Sequence, residues 1–115
     1  MATETIFSKI IRREIPADII YEDDEVLVFR DIKPQAPIHI LVIPKEPLAG
    51  MQDAQASHAS MLGQLLLTTQ RIAQDQGIAA SGYRLVINSG ADGGQQVAHL
   101  HIHLLGGRPL HWPPG

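Results

Sequence analysis

At 115 residues, 44% of them apolar, the chain has hydrophobic material for one core and not for two, so a single domain over residues 1–115 is expected. A net charge of −3 and a pI near 6.0 exclude the broad basic surface that a nucleic-acid backbone demands, and favour a small ligand. The absence of cysteine removes disulfides, thiolate metal sites and thiol nucleophiles together, which leaves the 6 histidines as the main carriers of reactive or metal-binding chemistry.

The opening Met1-Ala2-Thr3-Glu4-Thr5 lacks the basic segment and apolar run of a signal peptide. No apolar stretch approaches the roughly 20 residues of a membrane span, so a soluble cytoplasmic protein is expected. From Thr5 to Arg13, Ile6, Phe7, Ile10 and Ile11 recur at helical spacing, with Thr3 or Thr5 available as N-cap and Pro16 beyond the end. Ile19-Ile20-Tyr21 and Val26-Leu27-Val28-Phe29 are β-prone runs around an acidic turn and predict a hairpin. After Pro34 and Pro37, Ile38 to Ile43 is nearly continuous in β-branched and apolar residues, as in a central strand, with His39 its polar member.

Asp53 to Gln76 predicts a long helix with Met61, Leu62, Leu65, Leu66, Thr69, Ile72 and Ala73 on one side and Gly77 as the stop. Tyr83 to Asn88 and His99 to Leu105 predict two further strands, joined by the glycine-rich stretch Ser89 to Gln96, and Arg108 to Gly115 an irregular tail. The order αβββαββ, without repeats or low-complexity tracts, points to an α+β fold on a five-stranded antiparallel sheet.

Strand alternation puts His99, His101 and His103 on one face and Leu100, Ile102 and Leu104 on the other. Three imidazoles in alternation are neither good core filler nor strong β-formers, and three readings compete: a solvent-facing strand, a metal site, and nucleophilic catalysis. The outer pair have Cα atoms roughly 13 Å apart at the strand rise, so one tetrahedral ion bound by all three requires a bulge. A two-histidine ion site requires His39 or carboxylates from elsewhere. Neutral imidazole, by contrast, attacks phosphorus directly, and neighbours on either side of His101 can fix its tautomer or move a proton. The glycine-rich loop offers main-chain N–H groups to a phosphate, beside Asn88. His39 is either a satisfied core histidine or a supporting group. Asp31 either accepts ribose hydroxyls or makes local turn hydrogen bonds.

The run His99-Leu100-His101-Ile102-His103-Leu104-Leu105 resembles the motif of the histidine-triad (HIT) superfamily, in which three histidines alternate with apolar residues. The resemblance extends to its Hint branch of nucleotide-binding proteins through Ile6 to Ile11, Asp31 to Pro37, Gly93-Gly94-Gln95 and the ending His111-Trp112-Pro113-Pro114-Gly115. It implies a homodimer with one sheet continued across a two-fold axis, and hydrolysis of purine nucleoside 5′-phosphoramidates and acyl-nucleotides through a nucleotidyl-histidine intermediate, without cofactor or metal. It further implies His101 as nucleophile, with His103, His99 and His39 assisting. Asn88, Gln95, Gln96 and Val97 would lie with His101 and His103 around the phosphate, and Asp31 at the ribose. Ile6, Phe7, Ile10, Phe29 and Ile32 would clamp the base (AMP, GMP or a similar ligand), and Trp112 would reach the partner subunit's site. Two positions depart from the family: Gln96 stands where animal members typically carry serine, and Ala98 replaces a bulkier aromatic. The alternatives are a nucleotide-binding regulatory module with little turnover, a zinc-dependent protein using His39, and a dinucleoside polyphosphate hydrolase or nucleotidyl transferase.

Overall fold

A computed structural model describes residues 4–115; Thr3 as an N-cap, and the reading of Met1 to Thr3 as no signal peptide, lie outside the described residues. Helix α1 (Ile6–Ile11) is capped by Thr5, whose hydroxyl accepts from Ser8 N at 3.2 Å while Ser8 Oγ accepts from Thr5 N at 2.8 Å. Strands β1 (Ile19–Glu22) and β2 (Val26–Arg30) form the expected hairpin, tightened by Asp23 Oδ1, which accepts from the N–H groups of Glu25 and Val26. Strand β3 (Ile38–Pro44) follows. Helix α2 (Ala59–Asp75) starts later than the sequence periodicity implies, because Met51–Asp53 and Ala56–His58 form separate 3₁₀ turns. Gly77 ends that helix with φ of +76°, a left-handed conformation that glycine adopts without a Cβ clash.

Strands β4 (Tyr83–Val86) and β5 (Ile102–Gly106) complete an antiparallel sheet of order β1-β2-β3-β5-β4, with β3 in the middle. The pairing of β3 with β5 begins at Val42 opposite Ile102. His99 and His101 therefore precede the strand proper, a correction to the expected start: β3 ends at Pro44, which has no N–H to donate, and Leu100 N instead bonds Leu48 O at 2.7 Å. Likewise β4 ends at Val86, so Asn88 lies just past it.

Alternation along the strands divides the core in two. Val26, Val28, Ile40, Val42, Leu100, Ile102 and Leu104 face α2 and meet Leu65, Ile72 and Ala73. Leu27, Phe29, Leu41 and Ile43 face the other way and meet Phe7 and Ile10 of α1. Leu66, expected on the packed side of α2, is instead 46% exposed beside exposed Leu67. No helix among the described residues is long and apolar enough to cross a membrane.

Candidate active site

The expected division of the histidine run holds despite the later strand start. Leu100, Ile102 and Leu104 are buried under α2, while the imidazoles of His99 and His101 stand roughly perpendicular to the Phe7 ring on the α1 side, with ring centroids 6.3 and 5.0 Å away. Leu41 pairs with His103 and Phe29 with Leu41, so the sheet register sets His103 in the same α1-side row as the aromatic core. His99, His101 and His39 are buried and His103 partly so, which contradicts a solvent-facing strand.

Hydrogen bonds determine which ring nitrogens carry protons. His101 Nδ1 lies 2.7 Å from the carbonyl of His99, an acceptor only, so Nδ1 bears the proton and Nε2 is left with a bare lone pair. His99 Nε2 lies 2.8 Å from Pro44 O and is protonated for the same reason. His39 bridges two groups: Gln35 N donates to its Nδ1 at 3.0 Å, and its Nε2 lies 2.9 Å from His103 Nδ1. His103 Nε2 is buried with no hydrogen-bond partner among the described residues. The rings of His101 and His103 stand edge to face with centroids 4.9 Å apart.

Burial holds every one of these imidazoles below the ordinary histidine range, because the charged form loses its water. His103 is pushed down to about 4, by burial first and then by the neighbouring His101 and His39, against the opposing pull of Asp31. His101 is lowered by burial against its bond to the His99 carbonyl and the field of Asp31. A neutral imidazole with a free ring nitrogen is chemically able to act as a nucleophile at neutral pH.

Asp31 lies beside this row: Oδ2 is 3.5 Å from His39 Nε2, and Oδ1 accepts from Lys33 N at 2.8 Å. Donor atoms of Asp31, His39 and His103 fall within 4.8 Å of one another, the combination a zinc site would use. Two imidazole nitrogens on one tetrahedral zinc stand about 3.3 Å apart with their lone pairs aimed at the ion. Here the two nitrogens face each other at 2.9 Å and share a proton, so the set fits a hydrogen-bonded chain better than an ion.

The other predicted residues divide by position. Phe7, Ile10 and Phe29 are buried, Phe7 and Phe29 in edge-to-face contact at 5.5 Å, whereas Ile6 and Ile32 are 46% and 87% exposed. Gln95 is half-buried and its amide is engaged: Oε1 accepts from Gly90 N at 3.0 Å, and Nε2 donates to Ala49 O at 2.7 Å and Val97 O at 3.0 Å. Closure of the glycine loop also consumes the N–H groups of Gly94 and Gln95. Val97 packs against the Phe7 cluster, Asn88 is half-buried, and Gln96 and Trp112 are exposed. Sequence reasoning missed the main-chain groups of Gln35, Pro44 and His99 that set the tautomers. Main-chain N–H and C=O groups occur at nearly every residue, and nothing in the residue types marks these.

A row of neutral imidazoles, buried except for the partly buried His103, lies beside an apolar aromatic cluster and the Asp31 carboxylate and forms a candidate histidine-dependent active site. A HIT domain family model matches residues 12–110, and the chain belongs to that family. It is 57% identical over 110 residues to the purine nucleoside phosphoramidase of Escherichia coli, covering 96% of this chain and 92% of that one. It is 64% identical over 115 residues to an uncharacterized HIT-like protein of Synechococcus elongatus, covering 100% of both. Among solved structures, a HIT family hydrolase from Legionella pneumophila superposes with a TM-score of 0.96 at 46% identity, over 97% of this chain and 100% of that one.

Proposed function

We propose that the protein hydrolyses purine nucleoside 5′-phosphoramidates and acyl-nucleotides, with His101 as nucleophile. The observation that carries this reading is the His101 ring, whose Nδ1 proton is held by the His99 carbonyl so that Nε2 is bare in a buried site. The identity to a named phosphoramidase supports the substrate class. In the first step Nε2 attacks phosphorus and the P–N bond breaks as the amine takes up a proton. In the second, water displaces the imidazole, so phosphoramidate and water yield free amine and nucleoside monophosphate.

The base lies against Phe7, Ile10 and Phe29 with Ile6 and Ile32 at the mouth, Asp31 receives the ribose hydroxyls, and His103 Nε2–H faces the phosphoryl oxygens. Asn88, Gln96 and Val97 line the phosphate, and the engaged amide of Gln95 holds the loop that presents them. Two copies join along the open edge of β4, where Leu85 and, just past the strand end, Ile87 are 37% and 38% exposed, and along the exposed leucines of α2. Trp112 of each copy then serves its partner's site. The test is release of AMP from an adenosine 5′-phosphoramidate with and without chelator. Chelator-resistant cleavage that His101→Ala abolishes supports the reading, and unchanged cleavage by His101→Ala refutes it.

A further inference from the structure

The free nitrogen of His103 is a donor only if its other nitrogen is an acceptor, and that depends on a chain of bonds that starts outside the histidine row. Gln35 N is an amide that can only donate, so His39 Nδ1, 3.0 Å away, must be bare. A neutral His39 then carries its proton on Nε2, which faces His103 Nδ1 at 2.9 Å. Two protons cannot share that gap, so His103 Nδ1 is bare and its proton sits on Nε2, the buried atom without a partner among the described residues. A second proton on His39 would point Nδ1–H at Gln35 N–H, so the same amide also disfavours the charged ring.

The Gln35 main chain is gripped at its other end. Arg108 donates from one guanidinium nitrogen to Gln35 O at 2.8 Å and from the other to Pro109 O at 3.0 Å. The chain reaches that position through Gly107, whose φ of +90° turns it directly off β5, and a Cβ there would stand 2.9 Å from Pro37 Cβ. The strand end, Arg108 and the proline turn from Pro34 to Pro37 are thus fitted to one another around the Gln35 amide.

We infer that the Gln35 main-chain N–H, held in place by Arg108, is the positioning group that sets the tautomers of His39 and His103 and makes His103 Nε2–H the fixed donor of the site. The donor's action on a phosphoryl group rests on the phosphoramidase reading, but the tautomers exist without substrate and are read without activity. Long-range nitrogen–proton NMR of the full-length protein at neutral pH is the first arm. A bare Nδ1 and protonated Nε2 on both His39 and His103 support the inference, and a protonated Nδ1 on either ring overturns it.

The second arm is Arg108→Ala, an exposed position outside the histidine row. Loss of one charge-assisted anchor is expected to give mixed His39 and His103 tautomers and a kcat about fivefold lower with KM little changed, partly restored by Arg108→Lys. Unchanged tautomers and kcat in Arg108→Ala overturn the role of Arg108. Correct tautomers in a protein that cleaves no phosphoramidate would remove the proposed function and leave the positioning intact.

Discussion

Acidification from pH 7 to pH 5 should destabilise the protein through its histidine row, and His103 sets the scale. An unfolded histidine titrates near 6.5, whereas His103 in the fold is pushed down to about 4 by burial and by His101 and His39. Because the folded value is depressed, the unfolded chain takes up the proton first. The stabilisation is complete above about pH 6.5 and is lost as pH falls towards about 4. Between pH 7 and pH 5 this linkage amounts to about 2 kcal/mol for His103 alone. His39, His99 and His101 shift in the same direction and add to the loss. The assay is urea unfolding at both pH values and fixed protein concentration, for the wild type and His103→Asn. The wild type should lose about 2 kcal/mol more than the variant over the interval, and equal losses would refute the assignment.

Ile32, 87% exposed, should contribute to ligand binding and not to the core. Ile32→Ala is expected to raise KM for a purine phosphoramidate about tenfold while stability stays within about 0.5 kcal/mol, checked by steady-state kinetics and thermal unfolding. Gly107→Ala combines a left-handed φ of +90° with a Cβ 2.9 Å from Pro37 Cβ, so it should cost roughly 1–3 kcal/mol in urea unfolding. Leu65, 1% exposed beneath the sheet, should cost about 2–5 kcal/mol when cut to alanine, measured in the same way.

Much of the fold was legible because its signals are local and periodic. The β-branched run from Ile38 gives the middle strand, and Gly77 ends α2 where its left-handed φ requires it. The alternation of His99, His101 and His103 with Leu100, Ile102 and Leu104 correctly separated an imidazole face from a core face. Periodicity misjudged the ends. It carried α2 back through two 3₁₀ turns and β5 forward to His99, since hydrophobic spacing does not reveal that Pro44 stops the β3 ladder. The resemblance grouped Ile6 and Ile32 with Phe7, Ile10 and Phe29, and only the fold separates the exposed pair from the buried three. The order of protons along the histidines was illegible for a different reason: it is written in the Gln35 N–H and the carbonyls of His99 and Pro44, groups whose positions only the folded chain defines.

The central claim is that His101 attacks phosphorus, and the stereochemical course at phosphorus tests it most directly. Hydrolysis of a P-chiral adenosine 5′-phosphorothioamidate in isotopically labelled water proceeds by two in-line displacements if a nucleotidyl-His101 forms, and the product then retains configuration. Inversion would mean a single attack by water and would contradict the role given to His101.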